Sequence, residues 1–347
     1  MRRPSLQGNK GGTAEIAPPS LVRMGEFFLD KKENEWREAG LITGCTGGQA
    51  GKSMQIYLNG QFCSREEAKV SVFDHGFLYG DGVFEGIRAY NGRIFKLEEH
   101  LQRLYESAHH LLLDIPLSMK EMEEATLETV RRNNLQDAYI RTVVSRGPGD
   151  LGLDPKNCYG STVVIIADKI SLYAQEYYDN GLSVTTAVTR QRNANTLEPR
   201  IKSLNYLNNI LVKIEAAQSG VLDAIVLNEQ GYVVEGSGCN VFIVNKYGEL
   251  ITPPMYLGIL EGITRNTVME LAAKEGITIK ETPFTRHDLY IARECFLTGT
   301  AAELIPVTSV DGRAIGGGAP GPITKKLMEI FHNYAQNNGT PVYHAEG

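Results

Sequence analysis

Arg-Ile-Lys-Ser-Leu-Asn-Tyr, residues 200–206, is the stretch that decides the fold, because its lysine, Lys202, can act together with two residues elsewhere in the chain. Glu235 begins the run Glu-Gly-Ser-Gly-Cys-Asn, and Arg88 ends the run Phe-Glu-Gly-Ile-Arg. Pyridoxal phosphate requires a lysine for its aldehyde, an acid for its pyridine nitrogen and a cation for its phosphate. The three residues therefore predict a pyridoxal phosphate site.

The neighbours of Lys202 indicate a partly desolvated amine. Ile201, Leu204 and Leu207 are apolar, and loss of water favours the neutral amine that attacks a carbonyl carbon. The same amine can carry a proton between two carbon atoms. A lone lysine is most often an exposed charge, so the prediction depends on this environment and on the other two residues.

The other two groups fit a phosphorylated ring in different ways. Glu235 ends a predicted strand, and its carboxylate can form a charge-assisted hydrogen bond to a ring nitrogen. Arg88 lies on a predicted strand and can grip a phosphate through two parallel bonds. Gly-Ile-Thr at residues 262–264 opens a predicted helix, whose N-terminal N–H groups attract an anion. In isolation these residues also fit an exposed glutamate and an ordinary helix cap.

Composition excludes several other classes of protein. The 347 residues are 42% hydrophobic and 22% charged, with a net charge of -6, and no basic tract predicts a nucleic-acid partner. No apolar run approaches the ~18 residues that a membrane span needs. The five cysteines are scattered without a C-x-x-C pair, and the histidines lack metal-ligand spacing. We therefore expect no metal, no disulfide framework and a reducing, cytoplasmic location.

The amino-terminal region differs from the rest of the chain. Residues 1–53 are rich in Gly, Arg, Ser and Pro and lack a periodic apolar pattern, which predicts disorder. Gly-Gly-Gln-Ala-Gly-Lys-Ser at residues 47–53 resembles a P-loop, but Thr46 stands where that motif requires its first glycine. We therefore expect no nucleotide site there.

The remaining sequence predicts an α+β protein of two domains. The first, residues 54–172, shows hairpin turns at Asn-Gly pairs and a capping box that begins at Ser118. The second, residues 182–340, alternates short strands with helices predicted at residues 206–219, 263–274 and 323–336. Residues 173–181 are expected to form an interdomain loop.

Six motifs in register resemble the branched-chain amino acid aminotransferases, which are fold-type IV pyridoxal phosphate enzymes. The likeness runs from about Met54 to Phe331. The motifs stand at residues 79–88, 138–141, 202–206, 235–240, 262–265 and 299–303. The resemblance implies two α+β domains with the cofactor at their interface, and a homodimer or higher homo-oligomer.

The resemblance also implies roles for individual residues around the cofactor. Lys202 would attach to the cofactor, Tyr206 would bond its phenolic oxygen and Glu235 its pyridine nitrogen. Leu260 would pack on the ring. The phosphate would be held by Arg88, Ile263, Thr264 and Thr300.

For the substrate, the resemblance implies transfer of an amino group from leucine, isoleucine or valine to 2-oxoglutarate. Thr300 and Ala301 would offer backbone N–H groups to the α-carboxylate. Arg141 would bind the distal carboxylate of glutamate, with Tyr79 and Tyr173. The side-chain pocket would be shaped by Tyr79, Phe84, Gly86 and Tyr139, and Tyr79 is the expected contribution of a second subunit.

Related activities share the same scaffold. Ile-Lys-Ser-Leu-Asn at residues 201–205 resembles the D-amino acid aminotransferases equally well. Aminodeoxychorismate lyases and (R)-selective amine transaminases also use this lysine. A non-catalytic binding protein is a further alternative, but Lys202, Glu235 and Arg88 together argue against it.

Overall fold

Residues 53–170 and 172–343 are described by a computed structural model of the chain. The predictions for residues 1–53, both the disorder and the lack of a nucleotide site, lie outside these ranges apart from Ser53. No helix in the described ranges is long and apolar enough to cross a membrane.

Seven strands form a first sheet in which every neighbouring pair is antiparallel. Its order is β16-β4-β3-β5-β6-β1-β2. The strands are β1 Gln55–Leu58, β2 Gln61–Ser64, β3 Gly82–Tyr90, β4 Arg93–Ile94, β5 Ala138–Ser145, β6 Thr162–Asp168 and β16 Thr340–Pro341.

Local chemistry explains the turns and helices of this first half. Asn91 and Gly92 both have positive φ, 49° and 73°, as the predicted tight hairpin between β3 and β4 requires. Three helices lie in this half: α1 His75–Tyr79, α2 Leu97–His110 and α3 Met119–Arg132. The predicted capping box is confirmed, because the Ser118 and Glu121 side chains each bind the other's backbone N–H. The apolar faces of α2 and α3 pack against the sheet in one core.

Nine strands form a second sheet with the order β12-β11-β10-β13-β14-β7-β8-β9, and β15 pairs with β14. A further pairing of Asn240 with Glu235 joins β9 to β10, so that six of the strands close into a ring. The strands are β7 Leu182–Thr186, β8 Asp223–Leu227, β9 Val233–Glu235, β10 Asn240–Val244, β11 Leu250–Thr252, β12 Ile279–Glu281, β13 Glu294–Gly299, β14 Glu303–Val310 and β15 Arg313–Ala314.

The helices of the second half include the three that the sequence predicted. They are α4 Gln175–Asn180, α5 Leu207–Gln218, α6 Ile263–Lys274, α7 Arg286–Tyr290 and α8 Pro322–Asn337. The expected interdomain loop therefore contains a short helix, α4. Tyr90 and Phe95 from the first half pack with Phe331 of α8 in a shared core, which fixes the first sheet against the second half of the chain.

The segment around Lys202 lies along β3 in the manner of an added strand. Phe84 N donates to Lys202 O at 3.0 Å, and Leu204 N donates to Gly82 O at 2.9 Å. This approach requires glycine at position 82, because an added Cβ would lie 2.6 Å from both Leu204 Cδ1 and the Val144 carbonyl oxygen. The backbone of Lys202 is thus held directly by the first sheet.

Candidate active site

A cavity with about 590 Å³ of empty space, part of it open to solvent, lies beside Lys202. We call it the Glu235 cavity. All but one of the residues predicted for the cofactor line it: Lys202, Tyr206, Glu235, Leu260, Ile263, Thr264 and Thr300. The structure therefore brings together side chains that are separated by up to about a hundred positions in the sequence.

Lys202 stands between aromatic groups. Its Nζ lies 3.4 Å from Tyr206 Oη and 4.9 Å from the centre of the Phe84 ring. The two rings meet edge to face, with centres 4.9 Å apart. The amine therefore has a hydroxyl group within reach and the Phe84 ring beside it.

Glu235 is buried rather than exposed at its strand end. Its Oε1 accepts hydrogen bonds from Leu260 N at 2.6 Å and Asn240 Nδ2 at 3.2 Å, and its Oε2 accepts one from Gln191 Nε2 at 2.9 Å. Burial raises the pKa of this carboxyl to about 7, although the hydrogen bonds and the charge of Lys202 oppose the shift. Glu235 can therefore gain or lose a proton near neutral pH.

The start of α6 forms part of the cavity wall through Gly262, Ile263 and Thr264. Gly262 is its N-cap and provides no side-chain hydrogen bond to the first turn, which leaves N–H groups available to an anion. Thr264 is buried in this turn. Glycine is required at position 262, because an added Cβ would lie 1.9 Å from Asn240 Oδ1.

Arg103 also lines this cavity, although no sequence motif predicted it. Its Nε and Nη2 bind the two carboxylate oxygens of Glu85 at 2.7 and 2.8 Å, and its Nη1 donates to Glu261 O at 2.5 Å. Burial disfavours ionisation of Glu85, but Arg103 and His100 outweigh it and lower the pKa of that carboxyl. A buried ion pair thus fixes the Arg103 guanidinium at the cavity wall.

Arg88, which was predicted to bind the phosphate, does not line the Glu235 cavity. Its Nη1 donates to Glu303 Oε1 at 2.9 Å and to Ala301 O at 3.4 Å. Alternation places Arg88 on the same face of β3 as Phe84, but four residues along a strand cover about 13 Å. The lining residues therefore favour Arg103 as the cation beside the start of α6.

A second cavity with about 950 Å³ of empty space, likewise open to solvent, adjoins the first, since Lys202, Tyr206 and Thr300 line both. We call it the Arg141 cavity. Its walls include six residues that were predicted to bind the substrate: Phe84, Gly86, Tyr139, Arg141, Thr300 and Ala301. Lys202 is thus the basic group at the junction of the two cavities.

Arg141 is a charged side chain held between the aromatic rings that line this cavity. Its Nη2 donates to Tyr139 Oη at 2.9 Å, and its guanidinium lies 4.6 Å from the Phe84 ring centre. Its Nε is buried and has no hydrogen-bond partner among the described residues. Gly86 makes room for the tyrosine, because an added Cβ would lie 2.1 Å from Tyr139 Oη.

Two predicted substrate residues lie outside both cavities. The Tyr79 side chain is exposed, and its hydroxyl donates to Leu151 O at 2.6 Å. The Tyr173 hydroxyl donates to Asp223 Oδ2 at 3.2 Å, and burial raises its pKa. Within one chain, therefore, the structure does not bring either tyrosine to Arg141.

The Glu235 cavity fits pyridoxal phosphate on its own chemistry. Three of its lining residues, Arg192, Asn209 and Thr298, carry buried polar atoms without a hydrogen-bond partner in the described part of the chain. Such atoms normally find a partner. Together with the N-terminus of α6, Arg103, Glu235 and Lys202, they suit a ligand with a phosphate, a ring nitrogen and an aldehyde.

Comparisons with known proteins agree with this geometry. The family model for class IV amino-transferases matches residues 82–310. A Methanocaldococcus jannaschii protein, provisionally named a branched-chain-amino-acid aminotransferase, is 54% identical over 290 residues, which cover 84% of this chain and 99% of that one.

Solved structures are similar over the same region. The Escherichia coli branched-chain amino acid aminotransferase matches with a TM-score of 0.80 and 36% identity, over 85% of this chain and 97% of that one. The branched-chain aminotransferase from the thermophilic archaeon Thermoproteus uzoniensis, solved with norvaline, matches with a TM-score of 0.79 and 39% identity, over 84% and 100%. A further branched-chain amino acid aminotransferase, solved with pyridoxamine 5'-phosphate, matches with a TM-score of 0.79 and 39% identity, over 82% and 95%.

Proposed function

This chain belongs to the class IV aminotransferases, and we propose that it transfers the amino group of L-leucine, L-isoleucine or L-valine to 2-oxoglutarate. The observation that carries the proposal is the position of Lys202. It lines both the Glu235 cavity and the Arg141 cavity, so that one amine can serve a cofactor on one side and a substrate on the other.

The predicted family, fold type and cofactor are confirmed by this membership. D-amino acid aminotransferases and aminodeoxychorismate lyases are not favoured, because the similar proteins are named for branched-chain amino acids. The division at residues 54–172 and 182–340, the roles of the site residues and the cytoplasmic location stay predictions.

When bound, pyridoxal phosphate supplies an aldehyde carbon for the amino group and a ring that withdraws electrons from the substrate α-carbon. Glu235 would hold a proton at the ring nitrogen, as its pKa of about 7 permits near neutral pH. Leu260 would pack on the ring. The Tyr206 hydroxyl accepts a hydrogen bond from Lys202 Nζ at 3.4 Å and would bond the cofactor's phenolic oxygen, and Lys202 Nζ would move the proton that leaves the substrate Cα.

The substrate side chain and carboxylates are held in the Arg141 cavity. Phe84 and Tyr139 offer an apolar wall to leucine, isoleucine and valine. Burying the distal carboxylate of glutamate without a partner would cost several kcal/mol, about 2–7 for a neutral polar group and more for a charge. Arg141 offsets that cost, because its guanidinium lines the cavity and its buried Nε has no hydrogen-bond partner among the described residues.

The proposal is tested by absorbance of the purified enzyme with pyridoxal phosphate. L-leucine alone, without an oxo acid, is expected to convert the cofactor's yellow absorbance to that of pyridoxamine phosphate, and 2-oxoglutarate is expected to restore it. Conversion by D-alanine and none by L-leucine would contradict the proposal and assign the enzyme to the D-specific class.

Replacing Arg103 by lysine is expected to weaken pyridoxal phosphate binding about 10- to 100-fold, since a hydrogen bond to a charged group contributes roughly 1.5–3 kcal/mol. The measurement is a cofactor titration of the apoenzyme. Arg146→Lys is the matched control: Arg146 also binds an aspartate through Nε and Nη2, and both arginine side chains are 11% exposed, but Arg146 lies outside the Glu235 cavity. Equal weakening in both variants would contradict a phosphate role for Arg103.

We further propose a homodimer in which Tyr79 reaches the partner's Arg141 cavity. The Tyr79 hydroxyl donates a hydrogen bond to Leu151 O. Apolar side chains close to these two residues in the sequence are exposed: Phe77 is 71% exposed, and Phe73, Leu151 and Leu153 are also exposed. Exposed apolar patches of this kind mark protein interfaces. A second copy of the chain would cover the patch and carry Tyr79 with it.

A mixing experiment tests this arrangement. Lys202→Ala and Tyr79→Ala homodimers are each expected to be impaired, whereas subunit exchange between them should restore one complete site in each mixed dimer. The proposed contribution of Tyr79 to the partner's site would be contradicted if subunits had exchanged and the mixture were no more active than the sum of the two separate variants.

A further inference from the structure

We propose that Arg88 is a positioning residue that holds the turn at residues 299–303 in the shape that binds the substrate α-carboxylate. The inference rests on the proposed function, since it assumes a substrate with that carboxylate. It gives Arg88 a role at the substrate turn instead of the phosphate role that the sequence predicted.

The turn joins β13 to β14 and lies at the meeting point of the two cavities. Gly299 pairs with Glu303 across its base, Thr300 lines both cavities and Ala301 lines the Arg141 cavity. In the described part of the chain, no acceptor takes the backbone N–H of Thr300 or Ala301. These donors are therefore available to an anion such as a carboxylate.

The turn needs outside support, because Glu303 has a φ of 56°. This left-handed backbone is unfavourable for a residue that has a side chain. It persists only where surrounding contacts hold it.

Side chains from three elements supply that support. Arg88 on β3 donates through Nη1 to Glu303 Oε1 at 2.9 Å and to Ala301 O at 3.4 Å. On α8, His332 Nδ1 lies 3.2 Å from Glu303 Oε2. The Tyr178 hydroxyl of α4 donates to Ala302 O at 3.1 Å. Of the three, only Arg88 binds the turn at two points, both the side chain of Glu303 and the main chain of Ala301.

Strand β3 makes this contact relevant to catalysis. The same strand carries Phe84 and Gly86 to the Arg141 cavity, and its Phe84 N–H binds the backbone carbonyl of Lys202. The hydrogen bonds of Arg88 therefore connect the carboxylate-binding turn to the strand that sets the position of Lys202. Loss of these bonds would shift the α-carboxylate relative to Lys202 without removing any group that touches the substrate.

Steady-state kinetics of the holoenzyme test the inference. Arg88→Met is expected to raise KM by a common factor of roughly 10- to 100-fold for L-leucine, L-glutamate, 2-oxoglutarate and 4-methyl-2-oxopentanoate, because small displacements in an active site have effects of that size. All four share the α-carboxylate. Arg88→Lys, which can keep the bond to Glu303, should show a smaller rise, and pyridoxal phosphate affinity should stay unchanged in both variants.

Two further variants separate this role from others. Arg141→Met is expected to raise KM for the two dicarboxylates alone. Arg93→Lys, in the neighbouring strand β4 and outside both cavities, should change neither KM nor cofactor affinity.

Any one of three results in Arg88→Met would overturn the inference. They are weaker cofactor binding with unchanged KM, a KM rise confined to the dicarboxylates, and a lower melting temperature with unchanged KM. A second readout needs no turnover. Titration with 4-methylpentanoate, which is leucine without its amino group, should show weaker binding to Arg88→Met than to wild type. If the wild type turned over D-alanine instead of L-leucine, the proposed function would fail while the common KM rise could still be measured, because both amino acids carry the α-carboxylate.

Discussion

Replacement of Lys202 by alanine is expected to lower kcat for transamination by about 10³-fold or more, since a positioned proton-transferring group contributes roughly 10²- to 10⁴-fold. The variant loses both the amine that attaches to the cofactor and the base that moves the substrate Cα proton. The effect should appear in kcat, because the walls of the Arg141 cavity remain. The measurement is the initial rate with L-leucine and 2-oxoglutarate at saturating cofactor.

Two controls make the result specific to the amine. Lys213→Ala removes a lysine of α5 that binds Leu222 O and lies outside both cavities, so it should leave the rate unchanged. Added methylamine should restore part of the activity of Lys202→Ala, because a small free amine can enter the space and transfer the proton. A Lys202→Ala enzyme that kept more than about a tenth of the wild-type rate would contradict the assignment, as general-base loss is rarely so mild.

The sequence could predict Lys202, Glu235 and the start of α6 because local sequence determines their positions. Lys202 lies five residues before the first residue of α5, Glu235 ends a strand before glycines, and the α6 turn is formed by consecutive residues. The hairpin at Asn91-Gly92 was predictable for the same reason, since turn type follows from two residues.

Arg88 and Arg103 show where this reasoning fails. A position on a predicted strand does not give the distance between Arg88 and the cavity, and its partner Glu303 is supplied by β14. Arg103 lies in the same helix as the buried residues Leu101 and Leu104, and its partner Glu85 is on β3. The position of Arg103 beside the buried face of an amphipathic helix indicated that its charge could be buried and paired. Its partner can be identified only from the tertiary structure.

Short elements were missed for a related reason. Strand β16 consists of Thr340 and Pro341 and exists because it pairs with β4, far away in the sequence. Helix α1 has five residues, and Asp74 caps it by accepting from Gly76 N. Neither is long enough to show a periodic pattern, so long-range pairing and a single cap decide them.

Replacement of Glu235 by glutamine is expected to lower kcat roughly 10²- to 10³-fold, the usual effect of removing one preorganised electrostatic group. Glutamine has nearly the same shape, and Gln191 can turn its amide so that its oxygen accepts from the new NH₂ group. The loss therefore reports on the charge and the proton at the ring nitrogen. Asn240 and Leu260 can still donate to the remaining oxygen.

We also expect wild-type apoenzyme and Glu235→Gln apoenzyme to differ in how their stability depends on pH. Burial raises the pKa of Glu235 from 4.5 to about 7 in the folded chain. The folded state therefore binds this proton more tightly than the unfolded state, and the resulting stability is complete below the unfolded pKa and is lost as the pH rises to about 7. One pKa unit corresponds to about 1.4 kcal/mol, so wild-type apoenzyme should lose about 3 kcal/mol relative to Glu235→Gln across that interval.

Urea unfolding of both apoproteins at pH 5 and pH 8 measures this difference. Subtracting the glutamine variant removes the contribution of every other titrating group, so the remaining change belongs to Glu235. Bound pyridoxal phosphate should reverse the trend, because a protonated ring nitrogen pairs with the ionised carboxylate and offsets its burial. The difference in free energy of unfolding between the wild-type and Glu235→Gln apoenzymes could also be the same at both pH values. Glu235 would then already be ionised at pH 5, and its hydrogen bonds alone would stabilise the buried carboxylate.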